Sequence, residues 1–223
     1  LVLTLLFVPA MPAAEALSYG QQLGVLRKPA MLLAVSIVLF LNGAIFGFYS
    51  YFSDFLGRVT VLEAGAVSLL LMLYGAANIV GNMIAGRLLT VDVRRTAFLL
   101  PFVLLAAYGL LFLTGGQLTA AALASVLIGA LAGINTNVNQ YLVTEAGAEA
   151  PEFANGLYLT SANLGTTFGT FICGLFITAM GTRYALCGTF IFIAAGFAAT
   201  ALKLAQDKPS VLGGEIKEVK IYG

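Results

Sequence analysis

Residues 30–52 read AMLLAVSIVLFLNGAIFGFYSYF, without one charged side chain. A helix rises about 1.5 Å per residue, so a run of this length covers the roughly 30 Å hydrocarbon core of a bilayer. The run is continuously apolar rather than alternating. That favours a helix, whose backbone bonds close internally, over a barrel strand. Five further runs of the same kind follow, at 62–86, 96–114, 118–140, 154–178 and 184–203. The expectation is an all-α membrane protein whose residues 30–203 form a six-transmembrane-helix bundle, followed by a cytoplasmic tail over 204–223.

Composition agrees. Hydrophobic residues make up 60% of the chain and charged ones 9%, with a mean hydropathy of +0.98. A soluble domain carries about 25% charged residues. The net charge of +1 offers no broad attraction to a polyanion, so nucleic acid is not an expected partner. Histidine is absent, which removes sites built on imidazole. Cys173 and Cys187 both sit in apolar runs and read as small buried residues rather than as a disulfide or metal framework. No metal or cofactor is expected.

Before the first run, Leu1–Val8 is apolar but too short to span, ends at Pro9, and lacks the basic start of a signal peptide. It reads as the last turns of a preceding, truncated transmembrane helix, with a cytoplasmic loop reaching residue 29. Arg27, Lys28, Arg87, Arg94, Arg95, Lys203, Lys208, Lys217 and Lys220 fall on one side of the spans, and only Arg58 and Arg183 on the other. The bias of Lys and Arg toward the cytoplasm then puts both ends of the segment inside.

Polarity is uneven among the runs. The first, second, fourth and fifth carry amides and hydroxyls, whereas the third and sixth are almost wholly apolar. Two three-helix units of opposite membrane topology follow, the inverted-repeat plan of secondary transporters. An amide facing lipid without a partner costs several kcal/mol, roughly, so the polar helices should face protein or water. Gly129 with Gly133, Gly165 with Gly169, and Ala77, Gly81 and Ala85 recur at four-residue spacing, which marks close helix contacts.

The stretch Gly81-Asn82-Met83-Ile84-Ala85-Gly86-Arg87-Leu88, followed by Asp92-Val93-Arg94-Arg95, resembles the loop between the second and third helices of a half in the major facilitator superfamily, whose pattern is roughly G-R-L-A-D-R-x-x-R-R. Gly86, Arg87, Leu88, Arg94 and Arg95 sit at matching offsets, while Thr90 replaces the acid and Val91 the following Arg. Pro151, Ala154, Asn155, Asn163-Leu164-Gly165, Gly169 and Gly174 resemble the eleventh helix of the arabinose-efflux-permease-like and drug-efflux members. The resemblance covers about residues 1–205. It implies the C-terminal half, helices seven to twelve, of a twelve-helix transporter in a plasma (bacterial inner) membrane. It also implies efflux of a small organic compound such as a sugar or drug, by proton-coupled antiport, with an N-terminal half, protons, substrate and membrane lipid as partners. The Gly86, Arg87, Arg94 and Arg95 cluster would act as a cytoplasmic gating motif.

Asn42, Phe46 and Tyr49 share one face of the first helix by their spacing. A mixed amide and aromatic face suits an amphipathic ligand. Tyr74 and Asn78 in the second helix, Asn135 in the fourth, and Tyr158 and Asn163 in the fifth are the further substrate-binding candidates. Asp54, Glu63, Asp92, Glu145, Glu149 and Glu152 all fall at helix ends or in loops, so no span holds the mid-membrane carboxylate of a proton relay. A self-contained six-helix channel or homo-oligomeric carrier is the competing reading, but neither a charged ring nor a carbonyl filter is evident. An enzyme would need a nucleophile with its base, or a metal, and no such set is found.

Overall fold

The computed structural model describes residues 19–206. Its helices are α1 (Tyr19–Val25), α2 (Pro29–Tyr49), α3 (Phe52–Arg58), α4 (Ala64–Thr114), α5 (Leu118–Ala146), α6 (Pro151–Met180) and α7 (Ala185–Gln206), with a single 3-10 turn at Thr182–Tyr184. Five segments are long and apolar enough to cross a membrane: α2, α4, α5, α6, and α7 with the turn before it. Helix α4 counts twice. Its 51 residues would run about 77 Å if straight, more than twice a bilayer core. One residue divides it. Asp92 has φ −162° and ψ 95°, and its Oδ1 accepts the Arg95 N–H at 2.8 Å. That is an N-cap bond to the third residue of a new helix. The two arms, 64–91 and 93–114, complete the six expected spans.

Several boundaries differ from expectation. Residues 87–95 are not an open loop, because the apolar Leu88, Leu89 and Val91 continue the helix up to the break. The first span ends at Tyr49, and α3 follows as a separate short helix that buries Phe52, Phe55 and Leu56. Arg58 pairs with Asp54 one turn earlier at 2.5 Å, which suits an amphipathic segment at a membrane boundary. Helix α1 occupies part of the expected 9–29 loop. The expectations for Leu1–Val8 and for most of the tail lie outside the described residues.

The inverted repeat is visible in how the helices pair. Along α2 and α6, contacts rise together: a Cβ on Gly165 would lie 2.2 Å from the Leu39 carbonyl oxygen, and one on Gly169 would lie 2.1 Å from that of Gly43. The two helices are therefore parallel. The first arm of α4 and α5 make the same parallel pair. A Cβ on Gly129 would meet the Tyr74 carbonyl at 2.4 Å, and one on Gly133 that of Asn78 at 2.2 Å. Helix two of each three-helix unit thus lies along helix one of the other unit. Lipid offers no hydrophobic drive between helices, so these backbone approaches supply the dispersion contacts that hold the bundle.

The second arm of α4 and α7 run antiparallel. Arg94 donates to the Leu204 carbonyl at one end, Phe102 and Phe197 meet edge-on at 4.7 Å midway, and Arg183 Nε donates to the Phe112 carbonyl at 2.8 Å at the other end. Arg183 also lies over the Phe112 ring, 5.2 Å from its centre. These are the third and sixth spans. Phe98, Leu99, Phe102, Leu105, Leu113 and Ile191 are exposed along them, the apolar surface that lipid wants.

Candidate functional site

Three buried amides join the first helices of the two units. Asn135 donates its Nδ2 to Asn42 Oδ1 at 3.1 Å, and Asn139 donates to the same oxygen at 3.4 Å. Asn42 is 5% exposed, and Asn135 and Asn139 are fully buried. The i, i+4 spacing on α5 puts both donors on one face, and the crossing with α2 brings the acceptor. Asn135 Oδ1 and Asn139 Oδ1 have no partner. A buried, unpaired amide oxygen costs about 1–3 kcal/mol, so the cluster is polar capacity kept inside an apolar bundle.

Toward the other end of α2 the rings gather. Tyr49 stacks on Tyr74 at 4.6 Å and 29°, joining α2 to the first arm of α4. Phe48, Phe52, Tyr108 and Ile128 pack around them, leaving a crevice too narrow to admit a water molecule. Tyr74 Oη and Tyr108 Oη are buried without a partner. Phe46 is half-buried against the core, and Tyr49 keeps 37% of its surface exposed.

A second amide chain crosses from α4 to α5. Asn82 donates to Asn78 Oδ1 at 3.1 Å, and Asn137 donates to Asn82 Oδ1 at 2.6 Å. Tyr158 on α6 is buried, and its hydroxyl reaches the Thr136 carbonyl at 3.5 Å. Asn163 behaves differently. It is exposed, and its Nδ2 bonds back to the Leu159 carbonyl of its own helix at 2.9 Å.

The structure therefore brings Asn42 and Asn135 together, and Tyr49 and Tyr74 together. Asn163 makes no hydrogen bond to another candidate. Asn135 and Asn139 lie in the packed interior, with their amides turned inward to Asn42. Asn139 and Asn137 were not among the substrate-binding candidates, although their four-residue offsets from Asn135 and Gly133 were the available signal.

At the arginine cluster only Arg94 reaches another helix, through Leu204. Gly86, Arg87 and Arg95 are exposed, and a Cβ on Gly86 would meet nothing within 4 Å. Close approach is not what that glycine provides. The Arg87 carbonyl accepts the Thr90 hydroxyl at 2.8 Å, so Thr90, standing where the pattern has an acid, bonds to local backbone.

Residues 7–220 match the Major Facilitator Superfamily. The chain belongs to that superfamily. Among curated members, the facilitator chain is 29% identical over 190 residues to the inner membrane transport protein YdhP of Escherichia coli (strain K12), covering 84% of this chain and 48% of that protein. It is 27% identical over 167 residues to the putative transporter AraJ of the same strain, covering 74% of this chain and 42% of that protein. The uncharacterized MFS-type transporter YtbD of Bacillus subtilis (strain 168) is 27% identical over 164 residues, covering 72% and 41% respectively. The facilitator chain spans less than half the length of these relatives. Superfamily membership and the apolar helices together make it a multi-pass integral membrane protein of a transporter family.

Proposed function

We propose that the chain is part of a secondary active transporter that exports a small organic compound, a sugar or a drug, by proton-coupled antiport. In this reading it is a carrier without enzymatic chemistry, set in a plasma (bacterial inner) membrane with both ends of the segment cytoplasmic. The observation that carries the reading is the open face of α6. This helix is the least buried of the apolar segments, yet Asn155, Thr160, Asn163 and Thr167 are exposed along it. Polar groups at membrane depth are tolerated against protein or a water-filled path, not against lipid. The face therefore suits a translocation path, closed on its far side by a further membrane unit. In this arrangement the aromatic pair Tyr49 and Tyr74, with Phe46, Asn78, Asn163 and Tyr158, lines the path. The Asn42–Asn135 pair supports it from behind. Gly86, Arg87, Arg94 and Arg95 act at the cytoplasmic gate.

Among the described residues, each carboxylate sits in α3, at a helix end, at the Asp92 break or in a turn. The proton-carrying group is then assigned to the further unit. The test uses inverted membrane vesicles containing the transporter with that unit, energised to an acid interior. Adding arabinose or ethidium, one a sugar and one a cationic drug, should dissipate the gradient while the solute accumulates. Asn42→Leu and Asn163→Leu should each change the rate while membrane insertion stays normal. Unchanged rates in both variants would remove the site assignment. Solute accumulation that survives collapse of the gradient would remove antiport.

A further inference from the structure

The two arms of α4 form separate spans, so their junction at Asp92 lies at one face of the membrane. A groove of about 440 Å³ opens there between the arms and α5, a volume in the range of small-molecule sites. Asp92 and Arg95 stand at its rim, and its floor runs through Leu99 and Val103 of the second arm to Leu131 and Ile134 of α5. Val103 comes eleven residues after Asp92, about 17 Å along a helix. Half of a hydrocarbon core is about 15 Å. The groove therefore reaches from a membrane face to the midplane, the depth of one leaflet.

The rim carries one charge of each sign. Asp92 Oδ1 accepts the Arg95 backbone N–H at 2.8 Å. Among the described residues, nothing bonds or pairs with the second Asp92 carboxylate oxygen or with the Arg95 guanidinium. Both side chains are exposed. Leu99 and Val103 present apolar surface below them, and Leu131 and Ile134 are buried. A guanidinium forks onto a phosphate, and a carboxylate takes a charge-assisted hydrogen bond from a primary ammonium. A headgroup with both ions matches this rim. An anionic headgroup meets like charge at Asp92, and a cationic one meets it at Arg95. A trimethylammonium has the charge for Asp92 but no N–H to donate.

We infer that the groove holds one phosphatidylethanolamine molecule, with its phosphate on Arg95, its ammonium on Asp92 and an acyl chain against Leu99, Val103, Leu131 and Ile134. The lipid sits at the break that divides α4, so its binding stabilises the angle between the two arms. The inference does not rest on the proposed transport activity, although Arg95 also belongs to the proposed gate.

The test delipidates the protein in an uncharged detergent. It then adds dioleoyl phosphatidylethanolamine, phosphatidylcholine or phosphatidylglycerol, or phosphoethanolamine without acyl chains, and reads retention by native mass spectrometry and thermal stability. Phosphatidylethanolamine should be retained over the other two lipids. Arg95→Gln should weaken its retention about fivefold, the worth of one cation at a membrane surface. Asp92→Asn keeps an N-cap acceptor, since Asn caps as well as Asp. That variant should melt nearly as the parent does without lipid, while its retention of phosphatidylethanolamine falls to that of phosphatidylcholine. Val103→Trp, which fills the inner end of the groove, should lower retention of phosphatidylethanolamine. An earlier melt of Asp92→Asn with the lipid preference intact would show that Asp92 only caps, and would overturn the ammonium assignment. Phosphoethanolamine retained as strongly as the lipid would overturn the lipid as occupant. Equal retention of the three lipids, unchanged in both charge variants, would overturn the inference as a whole.

Discussion

The two parallel seams of the bundle use the same backbone device and dress it differently. In α2 against α6, glycine meets glycine: Gly43 and Gly47 face Gly165 and Gly169. The seam's polar link is a hydroxyl contact near one end, Ser50 with Thr170 at 3.0 Å. In the first arm of α4 against α5, Gly129 and Gly133 face the carbonyls of Tyr74 and Asn78, and the seam continues into the Asn78–Asn82–Asn137 amide chain. The difference teaches that the repeat survives in backbone spacing, where a Cβ cannot fit, while its side chains are free to diverge. Polarity has collected on one seam, and close apolar packing on the other.

The harshest break of this symmetry is Gly169→Leu, whose side chain would have to displace the Gly43 backbone. Overpacking costs about 1–3 kcal/mol and occasionally more, and this position belongs at the upper end because the obstacle is main chain. Thermal unfolding in detergent should show a large loss, and Gly133→Leu a comparable one. A sizeable loss in only one of the two would mean that the seams are not equivalent.

Asn42→Leu tests what joins the two units at their centre. It removes the shared acceptor of Asn135 and Asn139, and each orphaned buried amide costs about 1–3 kcal/mol. The variant should melt earlier than a matched Ser36→Ala control, since Ser36 bonds only to its own helix at Leu32.

Asn82→Ala and Ser50→Ala sharpen the contrast in polarity. Asn82 bonds to Asn78 and accepts from Asn137, so its loss should cost about 0.5–1.5 kcal/mol. Ser50 retains an alternative to its cross-seam contact in the Phe46 carbonyl of its own helix, and its substitution should cost less. Equal effects would mean that the amide chain adds nothing beyond the glycine packing.

The smallest expected effect is a pH dependence in the α5–α6 turn. The Lys28 hydrogen bond holds the Glu149 carboxyl below its ordinary value of 4.5. A depressed folded-state value contributes stability that is present above the ordinary value and is lost as pH falls through the lowered one. The pair is exposed, so the contribution is slight. Glu149→Gln should remove that part of the acid-side slope and leave stability at neutral pH nearly unchanged, as read by melting curves across pH.

Much of the fold was legible because hydrophobic length is a local property. The runs at 118–140 and 154–178 lie within α5 and α6, and that at 184–203 within α7 and the 3-10 turn before it, each extended by a turn or more in all where helix-forming residues continue past the apolar core. Charge alone does not make a loop of 87–95. Arg87 and Thr90 fit a helix surface, and a single capping aspartate is enough to divide two arms. Helix α3 was missed because seven residues are too few for periodicity to stand out. At the candidate site, four-residue spacing put Asn135 and Asn139 on a common face. That they turn toward Asn42, 93 residues away, depends on a helix crossing that no local pattern contains. The bond of the Asn163 amide to the Leu159 carbonyl of its own helix is likewise not contained in its position along α6.

Sequence alone determined that the chain is helical and crosses a membrane, that its helices fall in two sets of three with two polar and one apolar in each, and which family pattern it carries. Each of these rests on hydropathy, on residue order, or on glycine and arginine at fixed offsets, and survives without contacts. Only the tertiary structure decided which helix lies along which. It also decided that Asn42 is a shared acceptor inside the bundle, and that Leu131 and Ile134 floor the groove headed by Asp92 and Arg95. The physical reason is distance along the chain: these groups come from different spans. Packing of glycine backbones in lipid sets where they meet, and that geometry is a property of helix pairs rather than of any one segment.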